Sequence, residues 1–212
     1  MSREEILRRI RAATADITSP PDIPRRYQPA GSPAGRTDDG LADRFAERAG
    51  DYRATVRRCR AADAAQVIAD AVTARAARRI GVPQGFPAEW SALLPDPVPD
   101  EPPLDVAALD SLDGVVTTCA VAIAETGTIV LDGGLRSGRR AITLVPDHHI
   151  CVVEAEQVVM LVPEAFARVE QAVIDRRAPV TLISGPSATS DIELNRVEGV
   201  HGPRTLVVVL AG

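Results

Sequence analysis

The segment that decides the fold runs from Gly114 to Leu131 and reads GVVTTCAVAIAETGTIVL. It is too rich in Val, Ile and Thr for one long helix, because these residues favour strands. We therefore divide it into strands at about 114–119, 121–125 and 128–131. Glu125 ends the second of these strands, and Thr126-Gly127 form the turn to the third. Functional loops of this kind commonly follow buried strands.

Outward from this segment, apolar runs and helical stripes alternate along the chain. Strands are predicted at 55–59, 79–82, 141–145, 150–153, 180–183 and 206–210. Helices are predicted at about 3–14, 40–48, 63–77, 104–112 and 163–177. The proline-rich residues 83–103 are predicted to be a loop with one helical turn. This alternation indicates the α/β class, with a mixed, mostly parallel sheet flanked by helices.

The first forty residues differ from the rest. Ser2 and Glu5 form a capping box, and Ile6, Leu7 and Ile10 share one helical face. Residues 16–37, rich in Pro, Gly and Asp, are predicted to be mobile. We therefore expect residues 1–39 to be an N-terminal helix and flexible arm, and residues 40–212 to be one α/β domain. The arm either docks on an acidic partner or a neighbouring chain, or is a solvated helix.

Composition excludes several classes of protein. All 24 basic residues are Arg, so a Schiff-base lysine and a P-loop lysine are both absent. The net charge of −5 and the lack of a basic, aromatic-rich surface argue against nucleic-acid binding. No apolar run reaches the length of a membrane span, and the polar start lacks a signal sequence, so we expect a cytoplasmic location.

The three cysteines, Cys59, Cys119 and Cys151, are widely separated in the sequence. Clustered thiolates of the kind that hold iron–sulfur clusters are therefore not expected in this chain. His148 and His149 are adjacent on a predicted strand and would point to opposite faces, so they do not form an obvious metal site. We predict no metal and no cofactor in the chain itself.

A long ordered string lies near the end of the chain: ISGPSATSDIE at 183–193, followed by GVHGP at 199–203. Together with AETGT at 124–128, this string resembles the LUD-domain family and, within it, the lactate-utilisation protein C group. The resemblance covers residues 110–212 well and the first hundred residues loosely. It implies a fold like that of ribose-5-phosphate isomerase and the CoA-transferases.

Two residues are candidate catalytic groups. Glu125 follows an apolar strand, where a carboxylate can act as base or nucleophile; alternatively it braces the turn by accepting backbone N–H bonds. His201, flanked by glycines, is a candidate proton donor. We predict that these two residues, Ser184 and Asp191 converge on one cleft at the ends of adjacent strands.

The candidate substrate-binding residues are hydroxyls, glycines, carboxylates and one arginine. Asp191 and Glu193 belong either to the site or to a capped turn, and Arg139 lies in a loop with three arginines that either binds an acid or forms a solvated hairpin tip. The full set is Thr126, Gly127, Thr128, Ser184, Gly185, Ser187, Asp191, Glu193 and Arg139.

Three functions fit these patterns. The resemblance implies a component of an L-lactate utilisation system that oxidises lactate to pyruvate with two partners, the lactate-utilisation A and B proteins. Of these, the B protein carries iron–sulfur clusters and the A protein resembles cysteine-rich reductase subunits. A small carboxylic acid would then be the substrate. The alternatives are a free-standing isomerase or acyl-transfer enzyme that uses Glu125, and a binding module that senses an organic acid through the arginine loop.

Overall fold

The structure is a computed structural model that describes residues 2–17, 19, 22–23, 40–186 and 202–212. Within these residues the helices are α1 (Arg3–Ala13), α2 (Leu41–Asp51), α3 (Ala64–Thr73), α4 (Ala88–Ser91), α5 (Val106–Asp110) and α6 (Val162–Arg176). The strands are β1 (Thr55–Cys59), β2 (Arg79–Val82), β3 (Asp96–Pro99), β4 (Gly114–Thr118), β5 (Val121–Ile123), β6 (Thr128–Leu131), β7 (His148–Glu154), β8 (Val158–Val159), β9 (Thr181–Ile183) and β10 (Thr205–Ala211).

The central sheet has six strands in the order β1-β10-β7-β4-β2-β3, and every neighbouring pair is parallel. Its middle strands are buried over nearly their whole length because both faces are covered, as is typical of parallel sheets. The predicted α/β class, with a mostly parallel sheet flanked by helices, is confirmed.

The two faces of this sheet pack against different partners. On one face Ile150 and Val152 of β7 pack with Ile68 and Val72 of α3. On the other face Cys151 and Val153 meet a second layer, which is made of α2 and a smaller sheet. Alternation along β7 thus assigns successive residues to two separate cores.

The second sheet has the order β8-β5-β6-β9, with β5 and β6 antiparallel and β6 and β9 antiparallel. Its inner side contributes Ala122 and Ile129 to the core beneath the central sheet. Its outer side carries Val121 and Ile123, which pack against α6. The segment Gly114–Leu131 therefore crosses from the central sheet, through β4, into the second sheet, through β5 and β6.

Two predicted elements were wrong in detail. Residues 141–145 do not form a strand; a 3-10 helix spans Arg140–Thr143, and Ile142 enters a small core with Leu109. Residues 83–103 contain, besides α4, the strand β3, which includes Pro97 and Pro99. β3 is the outermost strand of its sheet, where a missing backbone N–H is tolerated, so proline content was misleading there.

Helix α1 stands apart from this architecture. It begins at the Ser2 cap, whose side chain accepts a hydrogen bond from the Glu5 backbone N–H, and it buries no residue. Most of the predicted flexible arm falls outside the described residues. Among the helices that are described, none has the length and apolar character needed to cross a membrane.

Candidate functional site

A chain of three hydroxyls connects two segments that are far apart in the sequence. The Oγ1 atoms of Thr126 and Thr128 lie 2.7 Å apart, and Thr128 Oγ1 lies 2.7 Å from Ser184 Oγ. The strand register causes this meeting, since Ile129 of β6 pairs with Ile183 of β9. The turn after β5 and the end of β9 thus form one site.

The three hydroxyls can offer one O–H donor to a ligand. Three hydroxyl groups supply three O–H donors, and the two hydrogen bonds between them use two. Thr128 Oγ1 also lies 3.5 Å from the Thr126 carbonyl oxygen. When the two bonds run in the same direction along the chain, the O–H at one end, at Thr126 or at Ser184, is left to serve another acceptor. A carboxylate or carbonyl oxygen of a small acid is such an acceptor.

Two glycines hold this site against the end of α2. Gly127 has φ +61°, and a β-carbon there would lie 2.4 Å from the backbone nitrogen of Ala49. Gly185 has φ +90°, and a β-carbon there would lie 2.2 Å from the carbonyl oxygen of Tyr52. Both positions require glycine, because φ is positive and a side chain would not fit. The two glycines therefore let the backbone of the site pack directly on the backbone at the end of α2.

The contribution of α2 and Tyr52 was not anticipated from the sequence. Tyr52 precedes β1 and lies more than a hundred residues before Gly185. No local pattern marks such a contact. The sequence contained an indirect indication, namely two glycines at turns, where another part of the backbone can approach closely.

Glu125 is exposed at the edge of the site. Its backbone N–H donates a hydrogen bond to the Met160 carbonyl oxygen, with an N–O distance of 3.1 Å. This bond holds the start of the turn in place. The carboxylate itself is accessible to solvent and precedes the hydroxyl chain directly. A ligand at this turn could reach it from solvent.

The remaining predicted residues of this loop are Ser187, Asp191, Glu193 and His201, and they lie outside the described residues. The described residues resume at Gly202, just before β10, whose first residue Thr205 pairs with His148. Convergence of Asp191 and His201 with Glu125 stays a prediction.

Arg139 lies in a different environment. Its guanidinium makes a two-pronged ion pair with Asp100, with N–O distances of 2.7 and 2.9 Å, and also donates to the Leu104 carbonyl. The side chain of Asp100 is 6% exposed. This pair ties the loop after β6 to the segment that precedes α5. The substrate-binding role of Arg139 stays a prediction.

Arg136 and Asp132 of that loop also have partners. Arg136 lies 3.2 Å from Glu154 and stacks over Trp90. Asp132 accepts hydrogen bonds from Ser137 and from the Gly134 backbone, and it pairs with Arg176. Burial alone would raise the pKa of Asp132, but these partners lower it below its ordinary value.

A buried polar cluster lies inside the central sheet. His149 Nε2 lies 2.8 Å from Thr117 Oγ1, and both side chains are fully buried. Burial, assisted by the neighbouring His148, lowers the pKa of His149 to about 3. Burial, assisted by Arg75 and Arg57, lowers the pKa of His148 to about 4. Both imidazoles are neutral at pH 7.

Cys119, near this cluster, and Cys59, on β1, are both held in the thiol form. A hydrogen bond with Cys151, together with burial, raises the pKa of Cys119 well above its ordinary value. Burial also raises the pKa of Cys59. A thiol held protonated is a poor nucleophile and a poor metal ligand. These residues contribute to packing.

The fold and the hydroxyl site define an α/β protein with a candidate site for a small ligand at the turns of its second sheet. The LUD domain family profile matches residues 106–211, which extend from α5 to β10. A protein of Deinococcus radiodurans named lactate utilization protein C is 48% identical over 189 residues, covering 89% of this chain and 88% of that protein. The chain therefore belongs to the LUD-domain family.

Other relatives match over shorter regions. The protein named lactate utilization protein C 1 of Bacillus mycoides is 33% identical over 111 residues, covering 50% of this chain and 47% of the relative. A crystal structure of a DUF162 family protein from Deinococcus radiodurans superposes with a TM-score of 0.72 at 40% identity, covering 84% of this chain and all of that chain. The fold described above is thus shared with an experimentally determined structure.

Proposed function

We propose that this protein takes part in lactate utilisation, as a component of a system that oxidises L-lactate to pyruvate. The observation that carries the proposal is its 48% identity, over nearly its whole length, to a protein named lactate utilization protein C. Similarity over 89% of the chain includes the turn with Glu125 and the strand that leads to Ser184.

The hydroxyl site suggests how the chain handles its substrate. L-Lactate presents a carboxylate and one hydroxyl, and both are hydrogen-bonding groups of the size that the Thr126–Thr128–Ser184 chain can serve. In this proposal the free O–H at one end of the chain donates to the lactate carboxylate. Glu125, exposed beside it, accepts the substrate hydroxyl proton or orients that hydroxyl.

The electrons removed from lactate must go to a redox group. We propose that iron–sulfur partners of this chain, the lactate-utilisation A and B proteins, supply it. The scattered cysteines support this division of labour, because Cys119 and Cys151 are buried in a β-sheet core and Cys59 lies on a separate strand. This chain would contribute substrate binding or assembly.

The test is genetic and biochemical. Deletion of the gene in its host is expected to abolish growth on L-lactate and to leave growth on pyruvate unchanged. Affinity purification of the tagged chain from lactate-grown cells is expected to recover proteins that carry iron. Normal growth of the deletion strain on lactate, with no other copy of the gene, would contradict the proposal.

Of the two alternatives, the isomerase or acyl-transfer enzyme has one specific observation in its favour, namely the exposed Glu125 carboxylate beside a hydroxyl chain. Such an enzyme would act without redox partners. Turnover of an acyl-CoA thioester or a sugar phosphate by the purified chain alone, lost in Glu125→Gln, would favour this alternative over lactate utilisation.

A further inference from the structure

One surface of the second layer is apolar, and none of the described residues covers it. A groove lies between α6 and the segment that leads into β9, and its lining includes Phe166, Glu170, Val173 and Ile174. Phe166 is 51% exposed and Ile174 is 61% exposed. Leu182, on the edge strand β9 beside it, is also exposed. Contiguous exposed apolar surface of this kind marks an interaction site.

A second uncovered apolar surface belongs to the same chain. Helix α1 carries Ile6, Leu7 and Ile10 on one stripe, and none of its residues is buried. An isolated helix of 11 residues is marginal in water, because its few hydrogen bonds barely repay nucleation. Helix α1 therefore needs a surface on which to pack.

The two surfaces are both apolar stripes, and they carry opposite charges. The stripe on α1 consists of Arg3, Ile6, Leu7 and Ile10, which are spaced three, four and seven residues from the first. The stripe that α6 presents to the groove is Phe166, Glu170, Val173 and Ile174, which are spaced four, seven and eight residues from the first. Each stripe holds one charged residue among apolar ones, and the charges are opposite. The 15-residue α6 is long enough to seat the 11-residue α1.

We propose that α1 of one copy of this protein docks in the α6 groove of a second copy, with Arg3 facing Glu170, and that the exchange is reciprocal. In the single chain α1 does not occupy the groove, since it buries no residue. The 26 residues between Ala13 and Gly40 span up to about 90 Å when extended, which reaches a neighbouring molecule.

The buried area that a stable dimer needs favours a reciprocal contact, in which α1 of each copy docks on α6 of the other. A stable dimer buries about 1,200–2,000 Å² in total. One short helix in a groove falls short of that area, whereas a two-fold arrangement contains the contact twice. This proposal is independent of the role in lactate utilisation, because no residue of the hydroxyl site takes part.

Sedimentation equilibrium of the full-length chain tests the proposal. The wild-type protein is expected to be a dimer at micromolar concentration. Ile10→Asp and Ile174→Asp are each expected to raise the dimer dissociation constant by about tenfold or more. Ile17→Asp is the matched control: Ile17 is 60% exposed and lies outside the α1 stripe, so this variant is expected to dimerise normally.

Exchanging the charges of Arg3 and Glu170 distinguishes a specific contact between these two residues from general disruption of the dimer. Arg3→Glu and Glu170→Arg are each expected to weaken the dimer about fivefold, and the double variant is expected to return to within about twofold of wild type. A monomeric wild-type protein would overturn the proposal. So would a dimer that is insensitive to both α1 and α6 substitutions.

A disulfide experiment separates exchange from docking within one chain. Chains that carry Ile10→Cys are mixed with chains that carry Ile174→Cys under mild oxidation. A covalent dimer between the two kinds of chain supports the exchange. A bond that forms only when both substitutions are in one chain would overturn it in favour of intramolecular docking.

Discussion

Thr128 Oγ1 lies 2.7 Å from Ser184 Oγ, although the two residues are 56 positions apart. Thr128 is 4% exposed, so its hydroxyl is buried and depends on this contact and on Thr126 for hydrogen bonds. A buried hydroxyl that loses its partner costs about 1–3 kcal/mol. The same contact that stabilises the second sheet also builds the candidate site.

The first prediction concerns this hydroxyl chain. Ser184→Ala removes one end of it and is expected to slow growth on L-lactate strongly, because Ser184 is one of the two ends that can donate to the substrate carboxylate. The protein should still fold, with a loss of about 1 kcal/mol in the free energy of unfolding. Thr128→Ser keeps the hydroxyl and is the matched control, with growth close to wild type. Equal growth of all three strains would contradict the site.

The second prediction concerns Gly127, which packs on the backbone of α2. Gly127→Ala should destabilise the protein by about 2–4 kcal/mol, since a β-carbon would meet the Ala49 backbone and φ is +61°. Gly50→Ala is the control, because nothing lies within 4 Å of a β-carbon there and Gly50 is helical.

Gly50→Ala should stabilise by about 0.5–1 kcal/mol. Denaturant unfolding measures both variants. A neutral Gly127→Ala would mean that the end of α2 is not held against the turn as described.

The third prediction concerns pH. His148 and His149 have pKa values of about 4 and about 3 in the folded protein, against 6.5 for a free histidine. Below pH 6.5 the unfolded state binds more protons than the folded state, so stability falls as pH falls from 6.5 towards 4. At pH 5 each histidine should cost about 2 kcal/mol relative to pH 7.5.

His149→Gln should remove its share of this pH dependence while the amide still reaches Thr117. Unfolding by urea at pH 7.5 and pH 5.0 measures the difference for the wild type and the variant. Equal pH dependence in the two proteins would show that His149 is not held neutral by burial.

The fourth prediction concerns Arg139 and Asp100. Asp100→Asn should cost about 1–3 kcal/mol, because the buried carboxylate pairs with Arg139 and also accepts the Leu104 backbone N–H. Arg139→Gln should cost a similar amount.

Growth on lactate then decides whether Arg139 also binds substrate. If Arg139 acts only through Asp100, the two variants should impair growth equally at equal stability. A much larger defect for Arg139→Gln would assign it to the substrate.

The sequence by itself determined the class of fold and the position of most elements. The predicted strands at 55–59 and 79–82 coincide with β1 and β2, because short segments with β-branched residues between helical stretches favour strands in an α/β protein. The turn at Glu125–Thr128 and the family resemblance could also be recognised from the sequence, since both depend on short stretches of consecutive residues.

Only the tertiary structure decided what those elements meet. It separated the strands into two sheets, since hydrogen-bond register between distant segments leaves no mark on periodicity. It brought Ser184 to Thr128, and Gly185 to Tyr52, through pairing of β6 with β9 and packing of α2. It also made β3 a strand despite its prolines, because an edge position leaves their missing N–H groups without consequence.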